Sequence, residues 1–394
     1  MSGVWDRLTG QERVRTFLEA AAASGGDSYL FVGGPGVGKR EAARAFAAAI
    51  LCPRACGSCS ICTRVEQAVH PDVSSFEPEG YTYPLELIRE MVASAAQTPM
   101  EGSRRVIIIE EADRIAERSQ NALLKALEEP NPSLSWVLLA RCAEPLLATL
   151  LSRCHVLEFA PVPEEALINL LASRFGLGRD EIEQVVTAAR GDLKRAVALA
   201  SDATARELRK LAIDAVAGVA DRRMSPAAAL GVADLLRASA TAAREAKERA
   251  LGAEMAAFEQ ALGSGRGSAA ARKRAKDRTK RTLRRVETEV FCDFLSWLAH
   301  AYRDLAALSA GADPQEAGIP DELRDLPRSE EAPSTGFWLQ MVDSALEGQR
   351  AILENAQPML VVESVLLGAV AAGDAPSAGP AISVKGASRR EPER

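Results

Sequence analysis

Short apolar runs alternate with longer amphipathic stretches over the first 160 residues. The apolar runs, which are typical of strands buried on both faces of a parallel sheet, are Tyr29–Val32, Val106–Ile109 and Trp136–Ala140. The stretches with helical spacing are Glu41–Leu51, Leu85–Ala96, Ser119–Glu129 and Glu144–Leu151. This alternation predicts an α/β domain with a parallel sheet over residues 1–160.

Beyond Pro161 and Pro163 the pattern becomes helical throughout. Helical spacing at Glu164–Phe175, Glu181–Ala189 and Leu193–Ala200 predicts a small helical domain over residues 161–205. Residues 206–371 are rich in Ala and Leu, and they predict a second helical domain with loops at Gly263–Ser268 and Gly311–Ser334. Residues 372–394 show no apolar period, so we expect this tail to be disordered.

Composition narrows the class of protein. The chain has 394 residues, 47% of them hydrophobic and 26% charged, as in water-soluble globular proteins. A net charge of −6 gives no overall attraction to nucleic acid. No charge-free apolar stretch is long enough to span a bilayer, and the first ten residues contain no apolar signal core, so we expect a cytoplasmic protein without a membrane partner.

A glycine-rich segment follows the first apolar run. Gly33, Gly38 and Lys39 have the spacing of a phosphate-binding loop, whose backbone N–H groups and helix N-terminus hold phosphates; Gly36 lies within the loop. Arg40 occupies the next position, where a Ser or Thr hydroxyl normally binds Mg²⁺. A guanidinium has donors only and cannot ligate a cation. We therefore expect a degenerate nucleotide site in which binding of ATP with Mg²⁺ is doubtful.

An acidic pair, Glu110 and Glu111, follows the second apolar run. In phosphate-loop enzymes, carboxylates at such a strand end serve the Mg²⁺ shell and activate water. Glu111 can take the second role, whereas Glu110 is one methylene longer than Asp and would crowd a metal. The alternative is a solvated turn, which is the commoner origin of an acidic pair after a strand, but the preceding phosphate loop favours the functional interpretation.

Four of the seven cysteines lie within eleven residues: Cys52, Cys56, Cys59 and Cys62. Four thiolates at these spacings can close a tetrahedral, structural Zn²⁺ site. An iron–sulfur cluster is the alternative, since similar spacings also bind clusters. We favour zinc because the cysteines directly follow the predicted helix after the phosphate loop.

Three basic features remain. Arg153 precedes the apolar run Val156–Phe159 and can be either a solvated charge or an arginine finger that reaches a neighbour's nucleotide. Ten Lys and Arg and one acid occupy Arg266–Arg285, either as a contact for DNA or an acidic partner or as a solvated helix face. Lys194 opens a predicted helix and can either approach a nucleotide or simply face solvent.

The order of these motifs resembles the clamp-loader branch of the AAA+ ATPases over residues 4–200. The most specific parts are the cysteine module after the phosphate-loop helix and the run from Asn121 to Pro130, which are similar to those of the γ/τ and δ′ subunits of bacterial DNA polymerase III. The resemblance implies a RecA-like α/β domain, a helical lid and a helical collar. It also implies γ/τ and δ subunits as partners, and access to the sliding clamp and primed DNA through the complex.

Three departures favour the δ′ type, which keeps the fold and the finger but hydrolyses little or no ATP. They are Arg40 in the loop, Glu110 and Glu111 after the strand, and Arg141 and Cys142 where a Thr pair is expected. The resemblance then implies a stator whose Arg153 completes the ATP site of an adjacent γ/τ subunit. Two alternatives stay open: an active γ/τ-type ATPase, and a zinc-dependent nucleic-acid-binding module.

Overall fold

The computed structural model describes residues 3–24, 27–78, 82–128, 131–262, 268–314, 319–324 and 333–374, and the side chains of Arg7, residues 253–278, Arg281 and Asp374 lie outside the described part. Five parallel strands form one sheet in the order β2-β3-β4-β1-β5. The strands are β1 (Ser28–Val32), β2 (Val73–Phe76), β3 (Arg105–Ile109), β4 (Leu134–Ala140) and β5 (His155–Glu158). The three central strands contain the three predicted apolar runs.

Helices cover both faces of this sheet. Their bounds are α1 (Glu12–Ser24), α2 (Lys39–Leu51), α3 (Ser60–Glu66), α4 (Leu85–Ala95), α5 (Glu117–Glu128) and α6 (Ala148–Leu151), with 3₁₀ turns at Val4–Arg7 and Ala112–Arg114. Successive strand side chains point to opposite faces, so Phe31 packs in the core beneath α1 and α2, whereas Leu30 packs in the core beneath α4 and α5. The result is a three-layer α/β/α arrangement.

The rest of the described chain is helical. The helices are α7 (Glu164–Phe175), α8 (Arg179–Ala189), α9 (Leu193–Ser201), α10 (Ala203–Ala220), α11 (Pro226–Leu262), α12 (Ser268–Ser309), α13 (Asp321–Arg324), α14 (Thr335–Leu353) and α15 (Pro358–Asp374). The predicted fold class, a parallel α/β domain followed by helices, is thus confirmed. In the part of the chain that the structure describes, no helix is both long and apolar enough to cross a bilayer.

One apolar core extends from α7 to α15, across the predicted boundary at residues 205 and 206. Polar contacts reinforce this junction: the Arg195 guanidinium stacks over the Trp297 ring at 4.4 Å and donates to Ser296 Oγ at 2.8 Å. The predicted domain limits stay predictions, and the proposed disordered tail lies, except for residues 372–374, outside the described residues.

Two local predictions were wrong. The helix expected over 144–151 is reduced to α6, because the Gln120 side chain binds the preceding turn, accepting from Leu147 N at 2.8 Å and donating to Pro145 O at 3.0 Å. The loop expected over 311–334 contains α13, whose Leu323 is buried in the helical core.

Candidate functional site

The phosphate-loop segment lies between β1 and α2, at the carboxyl edge of the sheet. Gly36 and Gly38 have φ of +67° and +91°, a region that glycine enters without cost. Gly33 permits a close approach of the chain, since a Cβ there would lie 2.5 Å from the Phe159 carbonyl oxygen. Lys39 begins α2, as expected for a residue that follows such a loop.

The Lys39 ammonium is bound by its own loop. Its Nζ donates to the carbonyl oxygens of Gly33 and Gly34. Burial lowers the pKa of Lys39 to about 8, and the charge of Arg141 acts in the same direction. The group that reaches the β- and γ-phosphates in an ATPase is therefore engaged by backbone carbonyls here.

The segment that precedes α9 closes over the loop. Leu193 N donates to the Gly36 carbonyl at 2.7 Å, and the Asp192 carboxylate, which caps α9, lies against Gly36. A Cβ on Gly36 would come within 1.7 Å of Asp192 Oδ1. A carboxylate thus lies beside the loop that would hold phosphate, a charge arrangement that disfavours an anion.

Arg40 pairs with the first residue of the acidic pair. Its guanidinium Nη2 donates to Glu110 Oε2 and lies 3.2 Å from Glu77 Oε1. The Glu110 side chain is only 7% exposed. Burial raises the pKa of Glu110 above its usual range, and the adjacent Arg40 opposes that rise. A fixed cation therefore lies on the carboxylate that would serve Mg²⁺ in an ATPase.

Glu111 is also neutralised by arginines. Its carboxylate lies 2.8 Å from Arg114 Nη1 and 3.7 Å from Arg141 Nη2, and its backbone has a left-handed φ of +48°. The Arg141 N–H donates to Asp113 Oδ1 at 3.0 Å. The carboxylate expected to activate water is thus an ion-pair partner, and Arg141 sits where a Thr was expected.

We expect Arg40→Ala to destabilise the protein by about 1–3 kcal/mol, less than for a fully buried pair because Arg40 is partly exposed. The pKa of Glu110 is higher in the folded protein than in the unfolded chain, so the protein loses stability as rising pH ionises this carboxyl group. Removing Arg40 raises the folded-state pKa further, so the variant loses more stability than the unaltered protein when Glu110 ionises. The loss should therefore be larger at pH 7.5 than at pH 4.5 in urea unfolding. Arg15→Ala, which breaks an exposed ion pair with Glu19 on α1, is the matched control. Equal losses in both variants would contradict the role given to Arg40.

Arg153 lies in the turn after α6. Its side chain is 33% exposed, donates to the Thr149 carbonyl at 2.7 Å and pairs with Glu128 at 2.7 Å. These partners are at the surface, so the guanidinium can exchange them for a group on another molecule. Its role as an arginine finger stays a prediction.

The four cysteines of the predicted metal site lie together, from the end of α2 at Cys52 to the first turn of α3 at Cys62. Their sulfur atoms all lie within 4.8 Å of one another, and Cys59 Sγ is 3.7 Å from Cys52 Sγ and 3.6 Å from Cys62 Sγ. A tetrahedral site with Zn–S bonds of about 2.3 Å separates its sulfurs by about 3.8 Å. The geometry fits one tetrahedral ion bound by four thiolates. An iron–sulfur cluster fits less well, because its cysteines bind different irons and lie farther apart.

The thiols differ in acidity. Backbone N–H groups of Ser58 and Cys59 lower the pKa of Cys56 to about 6, whereas burial raises the pKa of Cys62 to about 12. Cation binding would have to displace the proton of Cys62 above all, and it would supply the charge that stabilises this buried thiolate.

The remaining basic features are less informative. Lys194 is exposed. Burial raises the pKa of Asp293 on α12, and the charge of Lys194 partly opposes that rise. Most side chains of the basic run Arg266–Arg285 lie outside the described residues. Arg285 is described, and it pairs with Glu77 and, at 3.0 Å, with Glu289.

Sequence reasoning missed several residues that contact the site: Glu77, Arg114, Asp192 and Arg285. Glu77 follows edge strand β2, which the sequence pattern did not predict, and Arg285 was considered only as part of the basic run. Asp192 is the N-cap of α9. Its second role, against Gly36, depends on a contact between segments 156 residues apart, which no local pattern indicates.

Comparisons with known proteins identify relatives of the α/β part. Residues 10–163 match the family model described as DNA polymerase III, delta subunit. The delta′ subunit of Bacillus subtilis is 35% identical over 36% of this chain and 45% of its own length, and that of Pseudomonas aeruginosa is 37% identical over 35% and 44%. Tau and gamma subunits of the same polymerase also match, at 28–33% identity.

A solved structure of a gamma-subunit-related protein from Thermotoga maritima aligns with 91% of this chain and with 99% of its own length. The two are 17% identical in sequence, and the TM-score is 0.45. The chain spans about half the length of the curated delta′ relatives that it matches. Over residues 10–163, this chain is therefore similar to the DNA polymerase III delta′ subunits, and also to the tau and gamma subunits.

Proposed function

We propose that this chain is a δ′-type clamp-loader subunit of a cytoplasmic DNA polymerase III. It acts as a stator that hydrolyses no ATP itself and gives Arg153 to the ATP site of an adjacent γ/τ subunit. Its partners are γ/τ and δ subunits, and through the complex it takes part in loading the sliding clamp on primed DNA. The δ′ relatives support the assembly, and the charge arrangement of the loop supports the stator role.

The observation that carries the proposal is the pairing of Arg40 with buried Glu110. Catalysis of phosphoryl transfer needs a divalent cation that neutralises developing charge between the β- and γ-phosphates. Here a guanidinium is already paired with the carboxylate on the cation side, and Lys39 is bound by its own loop. A subunit with this arrangement contributes to hydrolysis only through a neighbour.

The proposal includes a structural zinc ion bound by the four cysteines. The four thiolates supply a closed coordination shell with no open position for substrate, which is the pattern of a structural site. Zinc would hold the segment between α2 and α3, and with it the N-terminal 3₁₀ turn, because Val4 N donates to the Ala55 carbonyl at 3.0 Å.

Reconstitution tests the stator role. The purified chain should turn over no ATP in the presence of Mg²⁺, whereas a mixture of γ/τ and δ subunits should need this chain for clamp-stimulated ATPase and for clamp loading. A chain with Lys39→Ala should support the complex as well as the unaltered chain does, because its own loop takes no part in hydrolysis.

The competing function is an active γ/τ-type ATPase, favoured by the τ and γ relatives. Turnover by the isolated chain that requires Mg²⁺ and is lost in Lys39→Ala would establish that function and end the stator proposal.

A further inference from the structure

Charged side chains from four separate segments meet beside the degenerate loop. Arg40 comes from α2, Glu110 from the end of β3, Glu77 from the segment after β2, and Arg285 from α12. Glu77 is shared: one carboxylate oxygen lies 3.2 Å from Arg40 Nη2, and the other pairs with Arg285 Nη1. The chain Glu110–Arg40–Glu77–Arg285 is therefore continuous from the loop to the long helix.

In a phosphate-loop ATPase, a metal ion would lie beside the carboxylate of this first link. A cation at this position would ordinarily be held by a hydroxyl and a carboxylate. Arg40 stands at the hydroxyl position and its guanidinium satisfies the carboxylate, so the same charge is supplied by a covalently attached group. A planar guanidinium can also serve two carboxylates at once, which Arg40 does with Glu110 and Glu77.

The last link reaches the helical core. Nine residues beyond Arg285, α12 places Phe294 in the centre of that core, with no exposed surface. Arg285 is oriented further by Glu289, one turn along the same helix. The α/β part and the helical part are thus joined by charge at a place where an ATPase would hold its metal and nucleotide.

We propose that the guanidinium of Arg40 takes the place of a bound cation and, through Glu77 and Arg285, fixes the α/β part to α12 without nucleotide or metal. This inference rests on the interpretation of residues 33–40 as a degenerate nucleotide site, but it does not need the finger role of Arg153. The fixed geometry is a property of the isolated chain.

Hydrogen exchange on the full chain tests the relay. Glu77→Gln and Arg285→Gln should each speed amide exchange in the first turn of α2 and at the end of β3 by about two- to fivefold, as expected for loss of a partly exposed ion pair. The double variant should exchange no faster than Glu77→Gln alone, because that substitution already removes the link to Arg285. Arg284→Gln removes the same charge from the neighbouring, exposed position of α12 and should leave exchange unchanged. Additive effects of the two substitutions, or an equal effect of Arg284→Gln, would overturn the relay.

Magnesium alone tests the cation role. In Arg40→Ser the hydroxyl is restored and the position beside Glu110 is vacated, so millimolar Mg²⁺ should slow exchange at the end of β3 relative to EDTA. The unaltered chain should show no response. An equal response of both proteins, or none in either, would overturn the assignment. Unchanged ATPase of a reconstituted complex carrying Arg153→Ala would remove the proposed finger role of Arg153 and leave these exchange results standing.

Discussion

Replacing one cysteine of the proposed zinc site, in Cys56→Ser, is expected to abolish stoichiometric zinc binding and to unfold the segment between α2 and α3. Binding of structural zinc has an apparent free energy on the order of 10 kcal/mol in small zinc domains. Only part of this free energy should be lost here, because Cys52 and Cys62 also belong to an apolar core that contains Phe31 and Phe46. We therefore expect a lower melting temperature with the sheet intact.

Metal analysis gives the first measurement, with one zinc per unaltered chain and none in Cys56→Ser. Limited proteolysis gives the second, with new cleavage between residues 52 and 66. Cys142→Ser is the matched control, since Cys142 is exposed and lies outside the cluster. Equal zinc content in Cys56→Ser and the unaltered chain would contradict the proposed site. Detection of iron and acid-labile sulfide would show that the cysteines bind an iron–sulfur cluster instead of zinc.

Acidification should release the metal, because each ligand must be a thiolate. Burial raises the pKa of the Cys62 thiol above its usual range, so protons compete with a cation most strongly at this ligand. Loss of zinc and exposure to protease should therefore occur together as pH falls, and Cys142→Ser should follow the same curve as the unaltered protein.

The parts of the fold that were predicted correctly are those with a local signal. The apolar runs in β1, β3 and β4 need no partner to be recognised, because both faces of each strand are buried. Edge strand β2 reads Val-Ser-Ser-Phe and is only partly buried, so its pattern resembles a loop. The cysteine spacing likewise predicted a cluster that the structure brings together.

What the sequence did not indicate is where the charges of the site find partners. Arg40 was correctly identified as unable to bind a metal, but its pairing with Glu110 joins positions 70 residues apart. Glu111 has Arg114 as a local partner, at a spacing of three residues, yet the left-handed backbone that brings them together has no sequence signal. Ion pairs of this kind depend on the tertiary fold and on burial, which a single sequence does not report.

Arg153→Ala is expected to leave the fold intact and, if Arg153 acts as the proposed finger, to slow hydrolysis by about 10²–10³-fold at the neighbouring site. The fold is preserved because the described partners of Arg153, among them Glu128 and the Thr149 carbonyl, lie at the surface, and an exposed ion pair contributes about 0–1 kcal/mol. Hydrolysis slows because the guanidinium stabilises charge that develops on the γ-phosphate in the transition state. Binding of ATP should change much less than turnover.

Single-turnover ATPase of the reconstituted complex isolates the affected site, which is diluted in steady-state rates by the other subunits. Arg179→Ala is the matched control, since it removes an exposed arginine that pairs with Glu183. Glu128→Gln separates the two partners of Arg153: it frees the guanidinium from its present ion pair and should preserve or raise the rate. If Arg153→Ala and Arg179→Ala hydrolyse ATP equally fast, Arg153 is a solvated surface charge, and the neighbour's transition state is stabilised by another group.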